Sequence, residues 1–173
     1  NDEDFWCGTT DEYLRLLLTA RKAFRDVSPA TYVADGGIQG AALNWLVVDY
    51  YLSTGQATSA IAFYEVFTGT LISVADLTAL NSTWQTKQPV VRGRELYDSM
   101  LFSYCDRVNF HYYQLAGGIP DVVAHLSRRT GTRLMSNEVG IKEKYAASPD
   151  DAARQMVQKY ARALALGVAP VIW

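Results

Sequence analysis

Four residues in the second half of the sequence have types and spacings that could do chemistry. Asn109, His111 and Tyr113 alternate along one segment, and Glu138 stands near the end of another. An imidazole and a carboxylate can exchange protons with a substrate, and a carboxylate can also act as a nucleophile. If the fold brings the two segments together, these side chains form a candidate catalytic or binding site.

Alternation along each segment predicts the faces on which these side chains lie. Side chains of a strand point alternately to its two faces, so the three residues of the first segment share a face. The same rule places Glu138 on one face with Leu134 and Ser136. Taken singly, a carboxylate at a strand end is usually solvated, and a histidine among aromatic residues is usually a hydrogen-bonded core residue. The convergence of His111, Tyr113 and Glu138 on one rim favours a functional role.

Local signals predict an alternation of helices and strands that would position these residues. Thr9 or Thr10 can cap a first helix, and Ser148 followed by Pro149 can begin the last one. The strands are predicted at residues 31–34, 108–113, 133–139 and 168–173. Helices are predicted at residues 43–52, 60–67, 74–84 and 94–104, with Pro89 between the last two, and at residues 120–130 before Gly131.

This alternation predicts an α/β fold with parallel strands joined by crossover helices. Four such strands could be half of a barrel or part of an open, doubly wound sheet, and periodicity alone does not choose between them. The chain has 173 residues, whereas a complete eight-stranded α/β barrel needs about 250. The sequence has no repeat, no low-complexity segment and no clear linker, which predicts one structural unit.

Composition and residue spacing argue against several functional classes. The net charge is −2 without a basic patch, so nucleic acid is not an expected partner. No apolar run approaches the ~20 residues of a membrane span. The two histidines, His111 and His125, are not part of any cluster with metal-ligand spacing, and no cofactor is expected. Cys7 and Cys105 lie far apart, and whether they pair is left open.

Several segments resemble retaining glycoside hydrolases of clan A, which are (β/α)8 TIM barrels. Residues 106–113 (Asp-Arg-Val-Asn-Phe-His-Tyr-Tyr) resemble the sixth strand, residues 134–140 resemble the seventh, and residues 170–173 resemble the eighth. Residues 33–37 resemble the end of the fifth strand. Residues 4–9 (Asp-Phe-Trp-Cys-Gly-Thr), followed by residues 12–17, resemble the segment after the fourth strand.

The resemblance implies that residues 1–173 are the C-terminal half of such a barrel, with strands five to eight. It implies that Glu138 is the nucleophile that attacks a sugar in an O-glycosidic bond of a poly- or oligosaccharide. Tyr113 or Tyr112 would hydrogen-bond the Glu138 carboxylate. Asn109, His111, Tyr113 and Trp173 would be the substrate-binding residues, with Trp173 as an apolar platform for a pyranose. A secreted or periplasmic location follows only from the resemblance.

The resemblance also predicts what the chain lacks. Clan A enzymes carry an Asn-Glu pair with the acid/base after the fourth strand, whereas Asn1 here is followed by Asp2. We therefore expect the acid/base Glu just upstream, in an N-terminal half on the same polypeptide or on a separate chain, and no activity from this chain alone. The alternative is a non-catalytic carbohydrate-binding or structural relative of the barrel. A barrel aldolase or a phosphate-binding isomerase ranks lower.

Overall fold

A computed structural model describes residues 8–98, 103–131 and 133–172 of the chain. These residues form a mostly helical α/β structure with parallel strands. The helices are α1 (Thr10–Val27), α2 (Gly40–Ser53), α3 (Ala57–Thr68), α4 (Val74–Trp84), α5 (Gln88–Asp98), α6 (Ile119–Thr130) and α7 (Pro149–Ala165). The strands are β1 (Arg107–Tyr112) and β2 (Arg133–Val139).

The sheet consists of β1 and β2 with one extended segment on each outer side. β1 pairs with β2 in parallel. Residues 34–38 run parallel to β1 through bridges at Ala34 and Ile38, and Val171 is bridged in parallel to Ser136 of β2. The order across the sheet therefore follows the order along the chain. The two outer segments were predicted as full strands at 31–34 and 168–173 but form isolated bridges.

Local sequence explains where the helices begin and end. The Thr9 side chain accepts from the backbone N–H of Glu12, whose carboxylate accepts in turn from the N–H of Thr9, so α1 starts with a capping box. Ser148 is likewise the N-cap residue of α7, and Pro149 lies in the first turn of that helix. Gly131 ends α6 in the left-handed conformation. One prediction was wrong: Pro89 does not separate two helices but lies in the first turn of α5, where its missing N–H costs nothing.

One face of the sheet is covered by helices. Val108, Phe110 and Tyr112 of β1 are fully buried in the main hydrophobic core, which includes Val122 and Leu126 of α6. α2 packs on α6, and α6 packs on α7, so these connecting helices form a single layer. Among the described residues no helix is both long and apolar enough to cross a membrane.

The N-terminal helix is tied to the start of β1 by ion pairs. Asp106 accepts from Arg21 at 2.8 Å and from Arg25 at 2.5 Å. The other carboxylate oxygen of Asp106 accepts from the backbone N–H of Val33 at 3.0 Å. Asp106 therefore joins α1, the first extended segment and β1 at the amino-terminal edge of the sheet.

A β-bulge in β2 overturns the predicted facing of its side chains. Asn109 is opposite Met135, but His111 is opposite Glu138, so β2 has one extra residue over this interval. Leu134 is opposite Val108 and lies in the helix-covered core. The prediction that Leu134, Ser136 and Glu138 share a face was therefore wrong. The bulge moves Glu138 to the face of His111.

Candidate functional site

A cavity of about 640 Å³ opens at the carboxyl-terminal edge of the sheet. Its lining comes from the start of α1, the turn at residues 35–39, the first turn of α2, α5 and the ends of both strands. Three of the predicted site residues line it: His111, Tyr113 and Glu138. The fold thus brings together side chains from two strands that lie far apart in sequence.

His111 and Glu138 form the polar pair at the centre of this site. Nδ1 of His111 lies 3.1 Å from Oε2 of Glu138. The Glu138 side chain is 49% exposed and that of His111 is 17% exposed, so the carboxylate is open to the cavity while the ring is largely enclosed. An imidazole with its proton on Nδ1 presents that proton to the carboxylate oxygen and can accept at Nε2, which lies 3.5 Å from the Asn109 amide nitrogen.

Asn109 supports this pair without lining the cavity. Its side chain is buried, its Nδ2 donates to Oδ1 of Asn137 at 2.7 Å, and its Oδ1 accepts from the N–H of Asn137 at 3.0 Å. Nδ2 of Asn109 also lies 3.5 Å from Nε2 of His111. Asn109 therefore links β1 to the bulge of β2, and its side chain is held by protein groups.

Gly37 allows the first extended segment to approach His111 and Asn109. Its φ of +97° is a conformation that residues with a side chain rarely adopt. A Cβ at Gly37 would lie 2.3 Å from Nε2 of His111 and 2.7 Å from Nδ2 of Asn109. The absence of a side chain at this position is what lets the turn close over the ring.

Tyr113 and Tyr112 have different surroundings. The ring of Tyr113 lies against Gly140, where a Cβ would come within 2.7 Å of it, and the ammonium of Lys142 is 5.7 Å from its centroid. Tyr112 is fully buried, and its hydroxyl donates to the carbonyl of Leu115 at 3.1 Å. Of the two tyrosines considered as partners of the Glu138 carboxylate, Tyr112 belongs to the core and Tyr113 to the cavity.

Asp35 is a site residue that sequence analysis did not single out. Its carboxyl group is buried, yet it lines the cavity. It accepts from the backbone N–H of Asn109 at 2.5 Å and from that of Gly37 at 3.2 Å. Burial raises the pKa of Asp35 to about 7, although these hydrogen bonds lower it. The only sequence signal was an Asp before Gly-Gly at the end of a predicted strand.

Tyr13 of α1 closes the cavity beside Asp35. Its hydroxyl oxygen accepts from the N–H of Gly36 at 2.6 Å. Burial and the nearby Asp35 carboxylate raise the pKa of Tyr13 to about 12. Tyr13 therefore stays neutral at physiological pH.

Further polar side chains line the cavity and were also missed. Gln114 is buried, and its Oε1 would lie 2.5 Å from a Cβ at Gly40, the first residue of α2. Arg92 of α5 and Lys142 after β2 add two cations to the lining. Nothing in their sequence context distinguished them from ordinary helix and loop residues. Their position depends on how α5 and the loop after β2 fold over the sheet.

Some predictions fall outside the residues that the structure describes. Trp173, predicted as a sugar platform, and Cys7, the possible partner of Cys105, both lie there. Cys105 is a buried thiol, and burial raises its pKa to about 12. In the part of the chain that is described, no three His, Cys, Asp or Glu side chains are grouped so that they could hold a metal ion.

No family model, no characterised protein and no solved structure matches this chain. The function of the chain is therefore inferred from the residues and geometry of the site.

Proposed function

We propose that this chain is the C-terminal half of a (β/α)8 barrel and that it belongs to a retaining glycoside hydrolase with Glu138 as nucleophile. The observation that carries the proposal is the pairing of His111 with Glu138. These residues are in register at the carboxyl ends of two neighbouring parallel strands, Nδ1 of His111 lies 3.1 Å from Oε2 of Glu138, and both side chains line a cavity. The carboxyl end of the strands is where barrel enzymes build their active sites.

The order of the strands supports a barrel over a doubly wound sheet. In a doubly wound sheet the strand order reverses and helices cover both faces. Here the parallel segments follow one another in chain order, and α2, α6 and α7 form one layer. The opposite face carries polar side chains such as Asn109 and His111. In a closed barrel this face would be the interior.

The distribution of exposed apolar side chains supports a missing half. The helices α1 and α7 each lead into one of the two outermost extended segments. Among the described residues, all large apolar side chains that are exposed lie on these two helices or just after them, apart from Leu71 and Val74. They are Leu16, Leu18, Phe24, Val27, Tyr32, Val157, Leu164, Leu166 and Ile172. Exposed apolar side chains concentrated on these two helices favour an interface there.

We therefore propose that an N-terminal half-barrel covers α1, α7 and both outer segments. It would be part of the same polypeptide or a separate chain, and it would carry the acid/base Glu.

The site fits the first step of a double displacement. The Glu138 carboxylate would attack the anomeric carbon of a bound sugar and form a glycosyl ester as the bond to the leaving oxygen breaks. The acid/base, about 5–5.5 Å away, would protonate that oxygen and then take a proton from the water that hydrolyses the ester. His111 would orient the carboxylate during both steps, and Trp173 would pack on the sugar.

A covalent trap tests the nucleophile directly. The protein is isolated intact from its source, so that any upstream half is present, and treated with 2-deoxy-2-fluoroglycosyl fluorides of β-glucose, β-xylose and β-mannose and of arabinose. Each reagent forms a glycosyl ester with the nucleophile. This ester hydrolyses slowly, because the fluorine at C2 disfavours the cationic transition state. We expect one peptide to gain the mass of one fluorosugar, with the label on Glu138. The variant Glu138→Gln should take no label.

Glu65→Gln is the matched control. Glu65 lies on α3 and does not line the cavity, so this variant should be labelled like the wild type. Labelling of another carboxylate, or turnover retained by Glu138→Gln, would contradict the proposal. Sugar binding without turnover or labelling in the intact protein would instead support the non-catalytic carbohydrate-binding alternative.

A further inference from the structure

Asp35 is a buried carboxyl group that the proposed mechanism does not use. Asp35 is 5% exposed, and within the described parts of the chain its carboxyl group forms no ion pair. Burying a carboxyl group without a cation costs free energy unless hydrogen bonds compensate. The compensation here comes from two backbone N–H groups, and both belong to residues that touch His111.

The first contact leads to His111 through Asn109. Oδ1 of Asp35 accepts from the N–H of Asn109 at 2.5 Å. The side chain of Asn109 lies 3.5 Å from Nε2 of His111 and is bonded twice to Asn137 in the bulge of β2. Fixing the Asn109 peptide therefore fixes one neighbour of the imidazole and its connection to β2.

The second contact leads to the same ring through Gly37. Oδ2 of Asp35 accepts from the N–H of Gly37 at 3.2 Å. Gly37 has a positive φ, and its Cα lies so close to His111 that a Cβ would be 2.3 Å from Nε2. The Asp35 carboxylate thus holds the backbone that encloses one side of the ring, while Oε2 of Glu138 lies 3.1 Å from Nδ1 on the other side.

We propose that Asp35 is a positioning residue, whose ionised carboxylate holds the Asn109 and Gly37 peptides and so fixes the His111 ring against Glu138. Its effect on turnover rests on the proposed function of Glu138. Its effect on the position of the ring does not, because that effect depends only on the hydrogen bonds within this chain.

The protonation state of Asp35 controls this arrangement. An ionised carboxylate accepts at both oxygens, whereas a protonated one has an O–H that donates, which weakens one of the two contacts. The titratable groups that face Asp35 are Tyr13 of α1, Tyr97 of α5 and Cys105 before β1. Burial raises the pKa of each of them, to about 12 for Tyr13 and Cys105, so none changes charge near neutrality.

NMR of the ¹⁵N-labelled protein tests the proposal without requiring activity. In the wild type, the amide protons of Asn109 and Gly37 should shift together as the pH passes through the Asp35 titration, near 7. In Asp35→Asn, the Asn109 amide proton should move upfield and lose this titration. Asp26→Asn, on the exposed face of α1, is the charge-matched control and should keep it.

Turnover provides a separate readout. Because a displaced catalytic group can lower the rate about 100-fold, we expect Asp35→Asn to lower kcat by roughly 10- to 100-fold with KM little changed. The acid limb of the wild-type pH profile that reflects Asp35 should be absent from the variant.

The two readouts separate the two hypotheses. If the amide protons of Asn109 and Gly37 do not titrate together in the wild type, the positioning role is refuted, and this measurement needs no folded variant. If they titrate as expected but the intact protein hydrolyses no glycoside, the positioning role stands and the proposed function fails.

Discussion

His125 should make the stability of this fold depend strongly on pH. It lies on α6, is 4% exposed, and sits between the rings of Tyr50 and Tyr97 at centroid distances of 5.8 and 6.1 Å. Neither of its ring nitrogens has a hydrogen-bond partner in the described structure. Burial, with a further contribution from the charges of Arg129 and Arg128, lowers the pKa of His125 from 6.5 to about 4.

The magnitude follows from this difference in pKa. Between pH 6.5 and about 4, the unfolded chain binds a proton at His125 that the folded protein does not bind. The free energy of unfolding therefore falls as the pH falls through this window, and it levels off below the folded pKa. A pKa of 6.5 in the unfolded chain and about 4 in the folded protein corresponds to a loss of about 3 kcal/mol.

The variant His125→Phe isolates this contribution. Phenylalanine keeps the aromatic contacts with Tyr50 and Tyr97 but does not titrate. Urea denaturation at intervals from pH 7.5 to pH 4 should show the variant gaining about 3 kcal/mol relative to the wild type over that range. At pH 7.5 both side chains are neutral, so the difference measured there is the internal control.

Two outcomes would refute this reasoning. The first is a difference in free energy of unfolding that stays constant with pH. The second is a His125 ring proton that titrates near 6.5 in the NMR spectrum of the folded wild type.

Two further substitutions probe the turn over His111 and the buried lysine of α7. Gly37→Ala should lower the free energy of unfolding by about 2–4 kcal/mol in urea denaturation, since it adds both backbone strain and a clash with His111; Gly55→Ala, at positive φ with open space around it, should show the strain alone. Lys159 is fully buried, and burial lowers its pKa to about 8. The stability that this group contributes is fully present above its unfolded pKa of 10.5 and is lost as the pH falls through 8. The free energy of unfolding of Lys159→Met should therefore exceed that of the wild type at pH 7. This advantage should shrink by about 3 kcal/mol when the pH is raised to 10.5. An advantage that does not change with pH would show that the pKa of Lys159 is the same in the folded and unfolded states, which contradicts the prediction.

The sequence alone determined most of the helices and their ends. Three helix-end signals each depend on residues within four positions of each other. They are the capping box at Thr9, the Ser148-Pro149 start of α7 and the left-handed Gly131. Such signals act in the unfolded chain as well as in the folded one. The alternation of helices with strands likewise predicted the parallel order of the segments.

The outer segments show where local patterns were insufficient. The apolar run before Asp35 and the run before Trp173 were predicted as strands, but each forms only isolated bridges. A segment becomes a full strand when partners satisfy its backbone groups along its length. Each of these segments pairs on one side only within the described chain.

Only the tertiary structure decided the composition of the site. The bulge in β2 places Glu138 opposite His111. Strict alternation along the strand had predicted that Glu138 shares a face with Leu134 and Ser136. The role of Asp35 depends on Asn109, which is 74 residues away in sequence. The register of the two strands and the burial of side chains such as Asp35 are set by groups that come together only after folding. These groups lie far apart in sequence, because parallel strands need a long crossover between them. The residue types at the site could therefore be predicted from the sequence, but their contacts could not.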